Sequence, residues 1–246
     1  MEVKTFKTIY RIDFPKCYTI LDKMGYYQEK ISAQLKKEPF EEFKGSIDTV
    51  NWGIKNTAIF RNDSFESHMN LQTLDAVIQH KEGYNLDVLA RHPLIKISED
   101  IIKELEQNGL NEYSRIGLRA WILIKNPSYT FEKLLKYFCK SKNIAVKSVE
   151  KIFAPINDIG IVIESKNKED VNLRLSYGPY KSDEAIKYFS FESPIKEGII
   201  LDIDLYQVKI ELLGFELTKL IRKYQNIMIE LVSSVDKEIM ERIDED

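Results

Sequence analysis

Tyr113-Ser114-Arg115-Ile116-Gly117-Leu118-Arg119-Ala120-Trp121-Ile122-Leu123-Ile124 is the stretch from which the fold is read. Its side chains alternate as a strand requires. Ile116, Leu118, Ala120, Ile122 and Ile124 share one face, and Arg115, Gly117, Arg119, Trp121 and Leu123 share the other. Asn126-Pro127 ends the run. Ser128 is then expected to cap a helix whose apolar stripe is Phe131, Leu134, Leu135 and Phe138, spaced i, i+3, i+4 and i+7.

The same order stands earlier in the chain. Phe6-Lys7-Thr8-Ile9-Tyr10-Arg11-Ile12-Asp13-Phe14 alternates, with Phe6, Thr8, Tyr10, Ile12 and Phe14 on one face. Pro15 suits the first turn of a helix with the stripe Cys17, Ile20, Leu21, Met24 and Ile31. Residues 47–80 read as β: an alternation of Val50, Trp52 and Ile54, a turn near Asn56, then strands at 57–61, 65–70 and 73–80. A second helix is expected with Ser98 as its N-cap and Gly109 as its stop.

After the helix at 131–138, strands are expected at 146–154, 159–164, 171–177 and 199–208. Lys166-Asn167-Lys168-Glu169-Asp170 is a solvated turn, and 178–198 is an irregular excursion. A final helix follows Gly214 and reaches toward Arg242. At 1.5 Å per residue it extends about 40 Å. The fold class expected is α+β: a duplicated strand–helix–antiparallel strands–helix unit forming one curved sheet with helices on one side. The halves are 1–111 and 112–246.

The composition, 43% apolar and 30% charged, is that of a globular chain long enough for a large shared core. A net charge of -3 supplies no global field for nucleic acid or an anionic membrane, which argues against both as partners. Lys133, Lys136, Lys140, Lys142 and Lys147, near Tyr137, form a local basic cluster that a solvated helix face explains equally well. No apolar run reaches the roughly 18 residues of a membrane span. No signal-peptide pattern opens the sequence, and the two cysteines, Cys17 and Cys139, sit in apolar stripes as buried thiols. A reducing, cytoplasmic location is expected.

Chemistry-bearing motifs are sparse. There is no nucleophile elbow, phosphate loop or zinc-binding His-Glu-x-x-His, and His68, His80 and His92 share no helical or strand spacing. No cofactor and no metal are expected. Asp202-Ile203-Asp204, within an apolar run, places two carboxylates on one face of a strand about 7 Å apart. Such a pair could hold a divalent cation, although metal sites draw ligands from several segments. Arg115 and Arg119 flank Gly117 on one face and could receive a phosphate or carboxylate. The favoured reading joins the two pairs: adjacent strands would let each arginine meet an aspartate across the ladder as scaffolding. In the final helix, Leu217, Tyr224, Leu231 and Val235 form a seam. It packs on the chain's own sheet, or overhangs to meet a second copy or another protein.

Ser114-Arg115-Ile116-Gly117-Leu118-Arg119 together with Leu201-Asp202-Ile203-Asp204 resembles a sporadically distributed bacterial family of similar length. That family has no established activity. The resemblance implies that the arginine and aspartate pairs belong to a shared pattern, and its patchy distribution points to accessory genes of defence or immunity. The repeated element order is also similar to the saddle of TATA-binding proteins, which is basic where it grips DNA, unlike this acidic chain. The function expected is non-catalytic binding or regulation through protein–protein contacts. The alternative is a ligand- or metal-dependent enzyme using the Asp202/Asp204 and Arg115/Arg119 face.

Overall fold

A computed structural model describes residues 2–34, 44–48, 53–58, 65–70, 72–140, 149, 151–152, 156–189, 191–211 and 217–243. The elements run β1 (Glu2–Asp13), α1 (Thr19–Gln34), β2 (Lys44–Asp48), β3 (Gly53–Ala58), β4 (Phe65–Asn70), β5 (Thr73–Tyr84), a 3-10 turn (Leu86–Arg91), α2 (Pro93–Gln107), β6 (Glu112–Lys125) and α3 (Phe131–Lys140). Then come β7 (Ile161–Lys166), β8 (Asn172–Lys181), α4 (Ala185–Tyr188), β9 (Glu197–Glu211) and α5 (Leu217–Ile243). The described strands form one curved nine-stranded antiparallel sheet in the order β2-β3-β4-β5-β1-β6-β9-β8-β7.

The two halves obey one rule. Each opens with a central strand, β1 or β6, and these two pair along nearly their whole length. The last strand of each half, β5 or β9, returns to flank it, and the intervening strands step outward. The expected boundary at 111–112 falls immediately before β6.

Alternation places the core. Tyr10 and Ile12 of β1, Ile116, Leu118, Ala120, Ile122 and Ile124 of β6, and Ile199, Leu201, Ile203 and Leu205 of β9 turn one face toward the helices. There they meet Ile95, Ile101, Ile102 and Leu105 of α2 and Leu217, Ile221, Tyr224 and Met228 of α5, all essentially without exposed surface. Each such side chain contributes about 1.5–3 kcal/mol by leaving water.

Several local expectations are corrected. A register shift between Thr5 and Lys7 carries Phe6 off the Tyr10 face into a second cluster. The first helix begins at Thr19, after Pro15, and adds Tyr27 to the core. Asn56 lies inside β3, opposite Gly45 and Met69, and forms no turn. Ser98 is no N-cap: α2 starts five residues earlier, because His92 accepts a hydrogen bond from the Leu94 amide through Nδ1 and Pro93 occupies the first turn. Ser98 instead bonds the buried Tyr10 hydroxyl.

Gly109 does stop α2. At φ +100° it lets Leu110 N–H reach Leu105 O (3.0 Å) and its own N–H reach Glu106 O (3.0 Å). Thr130, not Ser128, caps α3, its hydroxyl accepting from Lys133 N. The strand expected at 146–154 falls mostly outside the described residues, and Val149, Lys151 and Ile152, which are described, are helical. Val50 and Trp52 also lie outside them.

The opposite face of the sheet is bare only in part. The excursion at 182–196 crosses one end of it. Ala185, Phe189 and Ile195 bury Phe6, Trp121, Leu123, Tyr180 and Ile200 there, with the Phe6 and Phe189 rings 5.1 Å apart. Helices therefore back one side, while a strap covers an end of the other. The described residues leave open the polar stretch beyond Trp121.

Candidate functional site

The open stretch is built by register. Across four strands, Glu164 of β7 pairs with Arg174 of β8, Arg174 with Asp204 of β9, and Asp204 with Arg119 of β6. The next row is Val162, Ser176, Asp202 and Trp121. Paired residues point the same way, so acid and base alternate across the sheet. Arg119, Arg174, Ser176, Asp202 and Asp204 line an open depression of about 180 Å³.

The arginines and aspartates meet as the ladder reading requires, but diagonally. Arg119 lies opposite Asp204, yet its Nε and Nη2 donate to the two oxygens of Asp202 at 2.7 and 2.6 Å. Arg115 lies opposite Val208 and reaches Asp204 with Nη2 at 2.8 Å. Gly117 lets β9 approach closely: a Cβ there would meet Tyr206 Cβ at 3.1 Å and Leu205 O at 3.3 Å, both tight, whereas Arg115 Nε at 3.5 Å would be in ordinary contact.

Aromatic rings fix both guanidinium groups. Arg115 Cζ sits 4.4 Å from the Tyr206 ring centre, and Arg119 Cζ sits 4.4 Å from that of Trp121. Lys7 Nζ also lies over Trp121, at 5.2 Å. Such contacts add about 0.5–1 kcal/mol each at exposed sites. The hydrogen-bonded Asp202 carboxylate raises the Arg119 pKa further, so this guanidinium is permanently charged.

Arg174 and Ser176 are the residues that sequence reasoning missed. The alternation of β8, with Asn172, Arg174 and Ser176 against Leu173, Leu175 and Tyr177, carried the signal. Only the pairing with β9 places that polar face beside the aspartates.

The other expected residues are dispersed. Leu217 and Tyr224 are wholly buried in the chain's own core, which removes them from any partner surface. Leu231 and Val235 are half-buried against the same cluster. His92 caps α2, and His80 is exposed within β5. The His68 side chain, Lys142 and Lys147 lie outside the described residues. Cys17 and Cys139 are unbridged and half-buried. Among the described residues, no group of three or more His, Cys, Asp or Glu side chains could hold a metal ion, and no helix is long and apolar enough to cross a membrane.

A second polar centre sits on the helix side. Glu99 of α2 accepts the Thr218 amide at 2.9 Å and the Thr218 hydroxyl, and so caps α5 from another element. Lys103 Nζ approaches Glu99 at 2.7 Å. Burial pushes the Glu99 pKa up, but the bonds from Lys103 and Thr218 outweigh it and hold the carboxyl at about 2.

No protein-family model matches the chain, and no curated protein matches it. The family resemblance therefore rests on Ser114–Arg119 and Leu201–Asp204 alone.

Proposed function

We propose that this chain is a non-catalytic binding or regulatory protein that acts through protein–protein contacts made by the open face of its sheet. One observation carries the reading. The arginine and aspartate pairs are bonded to each other on a face that the described residues leave open, so their polar groups build a rigid, charged platform. Rigid surfaces lose little entropy on docking. A second copy of the chain is one partner such a face could take.

The alternative enzyme reading is favoured by the openness of the depression. It needs a carboxylate free to move a proton or hold a cation. Both Asp202 oxygens are engaged by Arg119, and Asp204 is held by Arg115. Membership of a bacterial defence or immunity locus is an extension that rests on the resemblance alone.

A photo-crosslinking residue tests the surface. Val162 is 55% exposed and opposite Ser176 on the open face, and Ile229 is 41% exposed on α5. A discrete protein adduct is expected in the native host from position 162 and none from position 229. Adducts at neither position would overturn the reading; an adduct at 229 alone would move the surface to the final helix.

A further inference from the structure

We infer that Asn108 is a site of spontaneous covalent modification: the Gly109 amide nitrogen closes on Asn108 Cγ, ammonia leaves, and water opens the resulting imide to aspartate or isoaspartate, at a rate set by opening of the last turn of α2. The site lies at the end of that helix and is independent of the binding face.

Asn108-Gly109 is the one asparagine–glycine pair in the sequence. A side chain on the residue after asparagine crowds ring closure, and glycine has none. Glycine also turns freely about its backbone bonds, so its nitrogen can be brought onto Cγ. Both residues are exposed, so water and base reach them. The reaction balances without a redox step. The Gly109 nitrogen gives its proton to base and bonds Cγ; the Cγ–Nδ2 bond breaks, and Nδ2 departs as ammonia. Water adding at Cγ restores the backbone with aspartate at 108. Water adding at the backbone carbonyl instead leaves the chain running through the side chain, as isoaspartate.

The fold holds the two reacting groups apart. The Asn108 side chain is turned back along α2, with Nδ2 donating to Glu104 O at 2.6 Å. The Gly109 N–H donates to Glu106 O at 3.0 Å, and its φ of +100° is the conformation that ends the helix. Ring closure needs both bonds broken together, which is the fraying of one helical turn. The products rebuild that turn poorly. Aspartate has no donor for Glu104 O and sets a negative charge at the negative end of α2. Isoaspartate adds a backbone carbon, which disturbs the bond from Leu110 N to Leu105 O. Leu110 is buried and leads into β6 at Glu112, so modification loosens the joint between the halves.

The test incubates the full chain at mildly alkaline pH, folded and in concentrated urea, and maps it by digestion and mass spectrometry, with chromatography separating the two isomers. In urea, Asn108 converts faster than every other asparagine and yields both aspartate and isoaspartate. In the folded chain the same position converts about tenfold more slowly, roughly the effect of two hydrogen bonds at a helix end. Gly109→Ala slows conversion in urea, where folding plays no part. Asn108→Gln removes it. Asn108→Asp, which carries one product, melts below the parent chain.

Four results overturn the inference. Isoaspartate absent from position 108 in urea, or another asparagine converting faster there, removes the site. Gly109→Ala converting in urea as fast as the parent removes the attack by the Gly109 nitrogen. Equal rates in folded and unfolded chains remove the control by α2.

Discussion

On the helix side of β6, Ile116, Leu118, Ala120, Ile122 and Ile124 have no exposed surface; on the other side of the same strand, Arg119 is 46% exposed. One backbone serves two purposes because successive side chains point opposite ways. The buried face holds the halves together through apolar area, and the open face keeps its charges in place with little stabilisation. Ile122→Ala is therefore expected to cost about 2–5 kcal/mol in urea unfolding, from lost transfer energy plus a cavity. Arg119→Ala should cost about 1 kcal/mol, since water and salt screen a half-exposed pair. Equal losses would break the comparison and make the open face part of the core energetics.

Two polar groups on the helix side sharpen it, because they are removed from water where Arg119 is not. Burial lowers the His92 pKa from 6.5 to about 4, and protonation of Nδ1 would end its acceptance of the Leu94 amide. Glu99 is lowered from 4.5 to about 2. In both cases the folded chain binds fewer protons than the unfolded chain, so stability falls as pH falls. The His92 contribution is present above about pH 6.5 and is lost between there and 4; the Glu99 contribution is present above 4.5 and is lost toward 2. Each loss should be on the order of 2 kcal/mol. Thermal melts across pH should show both steps. His92→Asn, which keeps an N-cap, removes only the upper step, and Glu99→Gln only the lower. A flat profile from pH 7 to 5 in wild type contradicts the burial of His92.

Arg174→Gln marks the other end of the scale in stability. With its carboxylate contact at 3.8 Å and most of its side chain in water, the melting temperature should stay within the effect of about 0.5 kcal/mol. A large loss of stability would mean that Arg174 is part of the scaffold.

The β6 face was legible because strict alternation and the Asn126-Pro127 stop leave one reading. The duplicated order was legible for the same reason, and the joining of Arg115 and Arg119 to Asp202 and Asp204 needed only the guess that β6 and β9 are neighbours. What stayed hidden depends on long-range register. Nothing local shows that β8 sets Arg174 against Asp204, that a shift at Thr5 turns Phe6 over, or that 182–196 covers Trp121. Ser98 misled because Ser-Glu-Asp is an N-terminal pattern by composition. The competing signal, His92-Pro93, was stronger, since proline fixes the first turn. The seam of α5 was read correctly as apolar, but apolar spacing cannot say whose surface covers it.

The finest test concerns the diagonal pairing. Direct opposition would give Arg119 to Asp204; the structure gives it to Asp202, while Arg115 bonds Asp204. Double-mutant cycles separate the two. Arg119→Ala with Asp202→Ala should show a coupling of about 0.5–1 kcal/mol that shrinks in 1 M salt. Arg119→Ala with Asp204→Ala should show less, since those side chains share only a longer-range field. Gly117→Ala is a control: its Cβ presses on Tyr206 Cβ and Leu205 O of β9 and makes only ordinary contact with Arg115, so it should lower stability and leave the ranking of the two couplings unchanged. If the Asp204 cycle is already the larger in the parent chain, the diagonal arrangement is wrong.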